Sequence, residues 1–299
     1  MRGASVQDVC IVSDGKPGHL NQSMGLVNAL LEQESGIRVH YQKPLSIFAL
    51  IGLAFSSIFH RTHRFGLVIG AGRKTHLTIL ILGWASCART VVLMRPSLPI
   101  SWFDLAIVPQ HDKPNARAEN VIATVGVLNR MQPATKQEAT GLMLLGGPSK
   151  HYLWDSGSLI EQIEQLLAQY PNIRWTLTTS RRTPKSDLDL LQKIDHDIEI
   201  VPVEKTDADW LPKHLSLAEY CWVTQDSVSM VYEALTAGCK TGVFELQAAG
   251  EGRVVSGVQT LKSTGRLIER DQIGKTNHQA QPLAEAKRCA TVILNKGWL

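Results

Sequence analysis

Apolar runs of strand length alternate with helix-length stretches along this chain, and the alternation restarts after a polar, proline-containing segment at residues 131–140. In the first series the strand candidates are Asp8–Ser13, Val39–Gln42, Phe65–Ile69, Thr90–Met94 and Leu105–Val108, with a helix over Asn21–Glu34. The second runs through Leu142–Leu145, a helix over Ser158–Gln169, Trp175–Thr178, a helix over Lys185–Ile194, Glu199–Val203, Tyr220–Val223 and Thr241–Leu246. Strands that alternate with helices favour a parallel sheet covered on both faces. Two such series give two α/β domains, placed at residues 1–135 and 140–280, and 299 residues suffice for two cores. A final apolar helix, Pro282–Leu294, lies in a tail of residues 281–299 that either closes the second domain or crosses back to the first.

Composition narrows the function classes. With 44% hydrophobic and 19% charged residues the chain is of ordinary globular make-up. A formal charge of +4 without long like-charge runs suits an anionic ligand or surface without demanding one. The basic residues are spread among loops with no aromatic-interleaved stripe, which argues against nucleic acid as a partner. Five widely spaced cysteines with no C-x-x-C pair read as reduced thiols rather than zinc ligands. The N-terminus enters a strand almost at once and shows no signal-peptide pattern, so a cytoplasmic location is expected. Leu45–Phe59 qualifies that expectation, because it carries no charge and is followed by His60, Arg61, His63 and Arg64. Its 15 residues are too few to span a bilayer, which leaves either a buried helix or peripheral contact with the inner membrane.

The chemistry-bearing residues collect in turns that follow strands. Ser13-Asp14-Gly15-Lys16-Pro17-Gly18-His19 comes after the first strand, where open α/β sheets bind ligands. It is not G-x-G-x-x-G, so a nicotinamide or flavin cofactor is not expected; a tight turn would explain its glycines but not the concentration of Asp14, Lys16 and His19. Gly70-Ala71-Gly72-Arg73-Lys74-Thr75-His76 sets glycines beside two cations in the form of an anion-binding loop. Gly146-Gly147-Pro148-Ser149-Lys150-His151 repeats the design in the second half and falls short of the phosphate loop of an NTPase. Its glycines would let the backbone approach a diphosphate, with Lys150 supplying charge. Thr178–Pro184 adds Arg181 and Arg182, suited to bidentate phosphate contact. In the last cluster Asp226, Ser227 and Ser229 precede or open a helix that contains Glu233 and ends at Gly238. Asp226 alone would pass for a helix cap and Glu233 for an exposed helical carboxylate. Three Asp-x-Asp triplets, Asp187/Asp189, Asp195/Asp197 and Asp207/Asp209, are read as capping and turn residues, so no metal is expected.

Taken together, Ser13–Leu20, Gly70–His76, Gly146–Tyr152, Thr179–Pro184 and Asp226–Met230 resemble, in one order over nearly the whole chain, the mitochondrial-fission Elm family. Its bacterial members are described as glycosyltransferases of lipopolysaccharide or lipooligosaccharide outer core. The resemblance implies a GT-B fold: two doubly wound, Rossmann-like α/β domains facing a central cleft. It also implies a likeness to the lipid-acceptor N-acetylglucosaminyltransferase of peptidoglycan synthesis, in which His19 matches a Gly-Gly-His turn and Glu233, five residues before Gly238, matches a ribose-binding Glu. Two positions depart from the family pattern: Gln225 stands where Glu is more usual, and Met94-Arg95-Pro96 replaces Asp-Pro-Arg.

The expected activity is transfer of a sugar from a nucleotide-sugar substrate to a cell-envelope glycan or lipid-linked acceptor, inverting and independent of metal and cofactor. His19 would be the base, with Asp14 its orienting partner or substitute. Gly146, Gly147, Ser149, Lys150, Arg181, Arg182, Asp226, Ser227, Ser229 and Glu233 would bind the donor. Lys16, Gly18, Gly72, Arg73 and Lys74 would hold an anion or the acceptor. The competing readings are a non-catalytic nucleotide-binding adaptor at the membrane and a nucleotide-sugar epimerase, the latter disfavoured by the missing dinucleotide fingerprint.

Overall fold

The computed structural model describes residues 7–60, 64–115, 117–275 and 282–299. Arg61 and His63 of the expected basic border lie outside them. Two compact units form, one of residues 1–130 with 284–299 and one of residues 131–283.

The first unit holds β1 (Gln7–Val12), α1 (Pro17–Gln33), β2 (Ile37–Gln42), α2 (Ile47–Phe59), β3 (Leu67–Ala71), α3 (His76–Ser86), β4 (Arg89–Leu93), β5 (Leu105–Pro109) and β6 (Val121–Thr124). These strands make one sheet in the order β2-β1-β3-β4-β5-β6, and every pairing is parallel. Because side chains alternate across a strand, Val9 and Ile11 of β1 face one core while Cys10 and Val12 face the other. The first core is closed by Leu26 and Leu30 of α1, the second by Ile79 and Leu82 of α3. β6 is absent from the sequence reading, its four residues being too short to show a period.

The second unit contains β7 (Gln137–Leu144), α4 (Ser156–Gln169), β8 (Arg174–Thr178), α5 (Lys185–Leu191), β9 (Ile198–Val201), α6 (Trp210–Leu217), β10 (Ala218–Thr224), α7 (Val228–Ala237), β11 (Lys240–Phe244) and α8 (Arg253–Ser263). Its sheet runs β11-β10-β7-β8-β9, again all parallel. Residues 137–140, expected in a linker, are the polar first half of β7; Thr140 aligns with Arg174 of β8 and Gln137 with Ala218 of β10. Lys136 is likewise held by the second unit, its Nζ donating to the carbonyl of Leu215 at 2.7 Å.

The last helix, α9 (Glu285–Asn295), returns to the first unit, where Cys289, Ala290 and Ile293 are fully buried in the core beside α1. Gln33 of α1 is pinned there, donating to the Lys287 carbonyl and accepting from Thr291. Of the five cysteines, all free, only Cys87 is exposed. Burial pushes Cys10 up to about 11 and Cys289 up to about 12, so both stay thiols at neutral pH.

α2 is helical as expected, but burial accounts for only one side of it. Leu50 and Ser57 are buried, whereas Ile47, Phe48, Ile51, Phe55 and Ile58 are exposed, Phe48 by 83%. Among the described residues no helix is long and apolar enough to cross a membrane.

Candidate active site

In each unit the chemistry-bearing loops lie where successive strands change direction across the sheet. In the first, β1 is followed on one side by β2 and on the other by β3, so the loops after β1 and β3 flank a crevice at the carboxyl edge. α1 starts earlier than the sequence reading, at Pro17, because proline at the first helical position gives up no needed N–H and comes with its φ already set. Lys16 is therefore the residue before the helix, and Gly18 and His19 are in its first turn. The Lys16 carbonyl accepts from the amides of His19 and Leu20, which fixes the backbone of His19.

Asp14 and His19 form a dyad. Nδ1 of His19 lies 3.0 and 3.1 Å from the two oxygens of the Asp14 carboxylate, whose side chain is 2% exposed against 20% for the imidazole. Burial alone would raise the Asp14 carboxyl, but the His19 hydrogen bond, the Lys16 amide and the charges of His19 and Lys16 outweigh it, leaving its pKa below the usual value. When the imidazole is neutral and Nδ1 donates to the carboxylate, Nε2 is left as the acceptor nitrogen; it has no hydrogen bond among the described residues. The dyad is braced from the β3 loop. Gly72 has φ +90°, and a β-carbon there would lie 2.3 Å from two atoms of the His19 ring. Arg73 and Lys74 follow as exposed residues in a short 3-10 turn that leads into α3. Lys16 is exposed as well. Met94, at the position of the family departure, has φ +70° and meets the Gln22 amide through its sulfur at 3.4 Å.

In the second unit the direction changes between β7 and β10, and the loops after β7, β8 and β10 are tied into one cluster. Gly146 N–H donates to Thr224 Oγ1 at 2.8 Å and Gly147 N–H to Asp226 Oδ2 at 3.1 Å. Arg182 donates to the same Asp226 oxygen at 2.6 Å, to Ser227 Oγ at 2.9 Å and to the Gly147 carbonyl at 3.0 Å. Ser180 and Thr183 both donate to the Gly146 carbonyl. The glycines are needed for these contacts: a β-carbon on Gly146 would sit 2.1 Å from Ser227 Oγ, and one on Gly147 would sit 2.2 Å from the Arg182 carbonyl. The two glycines thus admit the protein's own loops. Asp226, Ser227 and Arg182, expected to meet the donor directly, spend their polar atoms on one another, and the remaining Asp226 oxygen is buried without a partner.

What the cluster leaves available is Lys150, Arg181 and Ser229, all exposed. The amides of Val228 and Ser229, in the first turn of α7, make no hydrogen bond among the described residues, whereas those of Met230 and Val231 close on the Ser227 carbonyl. Ser149 shapes its turn by accepting from the amides of His151 and Tyr152. Glu233 is half-buried in the second turn of α7, which ends at Gly238 with φ +81°. Gln225 is buried and used from both ends of its amide, donating to Glu245 at 2.8 Å and accepting from the Leu246 amide at 2.9 Å. A carboxylate could accept there but not donate. Thr224, Ser180 and Thr183 had no assigned role in the sequence reading; a hydroxyl closing an apolar strand or beginning a turn was their only signal. Asp187 accepts from Trp154 and Ser156, which makes it structural. Among the described residues no group of three or more His, Cys, Asp or Glu is arranged to hold a metal.

The model for the family described as Mitochondrial fission ELM1 matches residues 17–296. The chain belongs to that family. Compared with curated protein sequences it has no significant match. Among solved structures it is similar to a provisionally assigned UDP-N-acetylglucosamine 2-epimerase from Listeria monocytogenes, at 10% identity and a TM-score of 0.61, over 98% of this chain and 97% of that one. The UDP-GlcNAc 2-epimerase of Neisseria meningitidis, solved with UDP-GlcNAc bound, matches at 10% identity and a TM-score of 0.53, over 97% and 99%. Acinetobacter baumannii MurG matches at 13% identity and a TM-score of 0.48, over 98% and 92%. At such identities the likeness gives the fold, and this family member has the GT-B fold.

Proposed function

We propose that the protein is a glycosyltransferase that moves a sugar from a nucleotide-sugar to a cell-envelope glycan or lipid-linked acceptor. One observation carries the reading: a buried Asp14 carboxylate holds the His19 ring by Nδ1 and leaves Nε2 open to take a proton. In the reaction an acceptor hydroxyl attacks the anomeric carbon, its proton passes to Nε2, and the bond from that carbon to the diphosphate breaks. A single displacement of this kind inverts the anomeric centre. Lys150, Arg181, Ser229 and the two open amides of α7 meet the charge that grows on the leaving diphosphate, so the reading requires neither metal nor cofactor. Glu233 binds the ribose hydroxyls. Lys16, Gly18, Gly72, Arg73 and Lys74 form the acceptor side. In this reading the enzyme works in the cytoplasm, peripheral to the inner membrane.

The fold shared with 2-epimerases favours one rival. Inversion at a sugar carbon through loss and return of a proton needs an acid and a base but no hydride carrier, so the missing dinucleotide fingerprint does not count against it.

The test is a thermal-shift screen against UDP-, GDP-, CMP- and dTDP-sugars, followed by incubation of the stabilising donor in deuterated water with and without glycolipid acceptor. A donor that binds only the folded state raises the melting temperature, and Lys150→Ala and Glu233→Ala should abolish the rise. Acceptor-dependent release of nucleotide, slowed about 10²–10⁴-fold by His19→Ala, is the expected outcome. Deuterium entering the sugar without acceptor would make the protein an epimerase, and no stabilisation by any donor would leave the non-catalytic adaptor.

A further inference from the structure

We infer that α2 and α3 of the first unit form a docking face for an anionic bilayer surface. Exposed apolar side chains and basic charge coincide around these helices. Phe48, Ile51, Phe55 and Ile58 recur at helical spacing on α2, all exposed, Phe55 by 66%, while Leu50 and Leu53 turn to the protein. α3 packs beside α2 and adds exposed Leu77 and Trp84. An apolar patch of this kind on a soluble domain marks an interaction surface.

The charge pattern selects the occupant. Between Glu34 and Asp104 the sequence contains no Asp or Glu, but eight Lys and Arg. The whole chain has 31 Lys+Arg and 27 Asp+Glu, so elsewhere 23 basic residues meet 27 acidic ones and the balance is negative. All of the net positive charge thus belongs to the stretch that carries α2 and α3. Lys43 precedes α2, Arg64 follows it, and Arg73 and Lys74 precede α3; all four are exposed. A second copy of the chain would set this basic stretch, which has no carboxylate of its own, against itself. An anionic lipid surface instead matches both features, with apolar side chains entering the headgroup boundary and Lys and Arg meeting phosphates.

The placement suits the chemistry. Leu45 N–H donates to Thr78 Oγ1 at 2.9 Å, which ties the start of α2 to the start of α3. Both helices begin at the carboxyl edge of the sheet, the edge that bears Asp14 and His19. A face docked there would bring a lipid-linked acceptor to the dyad. That purpose rests on the glycosyltransferase reading; the docking itself does not.

Flotation of the full chain with phosphatidylcholine vesicles, with and without phosphatidylglycerol, tests the inference. Binding should need the anionic lipid and weaken with salt, by about fivefold for each exposed cation replaced, as in Lys43→Gln or Arg64→Gln. Phe48→Ser with Phe55→Ser should lower it by about tenfold or more, with the melting temperature and donor stabilisation unchanged because both rings lie outside the core. No flotation with either vesicle, or equal flotation of the double variant, would overturn the proposal. So would a concentration-dependent dimer in sedimentation that Phe48→Ser and Phe55→Ser dissolve, since the occupant would then be a second copy. Docking that persists in a protein no nucleotide-sugar stabilises would refute the transferase reading and leave the face standing.

Discussion

The imidazole of His19 occupies the space that a β-carbon on residue 72 would need, with Cε1 and Nδ1 both 2.3 Å from that point. Two loops that read as separate motifs in the sequence, one after β1 and one after β3, are therefore a single device.

Gly72→Ala should lose on two counts. Its φ of +90° and ψ of 149° lie in a region that is essentially glycine's own, which costs about 1–3 kcal/mol, and the added methyl must push the ring off Asp14. Denaturant unfolding measures the first. For the second, transfer rate should fall with little change in donor stabilisation; an unchanged rate would free His19 from the assigned role.

Asp14→Asn keeps the shape but removes the charge that holds the ring. The folded carboxyl has a lowered pKa, so its contribution to stability is fully present above the unfolded value of about 4 and is lost as pH falls through the lower folded value. Wild type and Asp14→Asn should therefore differ in stability at neutral pH and converge in acid. Guanidinium melts at a series of pH values check this, and a gap that widened towards low pH would contradict the assignment. Transfer at neutral pH should fall about 10²-fold or more, because the amide no longer enforces the tautomer with Nε2 free.

Arg182→Ala strips the cationic partner from a carboxylate with no exposed side-chain surface, leaving it the Gly147 amide and the Ser227 hydroxyl, while Arg182 itself is 45% exposed. The cost should be about 2–4 kcal/mol, at the lower side of buried-pair losses because water reaches one partner. Asp226→Asn should also destabilise, since Gly147 N–H and the guanidinium both need an acceptor. In a double-mutant cycle the two should be strongly non-additive. Simple additivity would mean that the pair does not hold the loops together.

The contrast between Arg181 and Arg182 shows where sequence legibility ends. The alternation of apolar runs discloses two parallel-sheet units and, through the loops that follow strands, the edges at which ligands bind. It could not tell which of two adjacent arginines is spent on Asp226, because that depends on how loops after β8 and β10 fold against Gly146 and Gly147. The start of α1 was missed for a local reason: Pro17 and Gly18 read as turn residues, yet proline is favoured in the first helical position. In Leu45–Phe59 an uncharged apolar run was legible and its exposure was not, since apolar residues lie all round that helix and no polar face marks the side turned to solvent.

The return of α9 to the first unit has a temporal consequence. Synthesis proceeds from the N-terminus, and domains usually fold as they emerge. Here the first unit lacks Cys289, Ala290 and Ile293, fully buried members of its core, until the whole of the second unit has been made. The second unit, encoded as a continuous insertion, is available to fold sooner. A released chain that stops after Leu283 should thus carry a complete second unit behind an open first one, so that a stop codon there would spoil the half of the molecule made earliest.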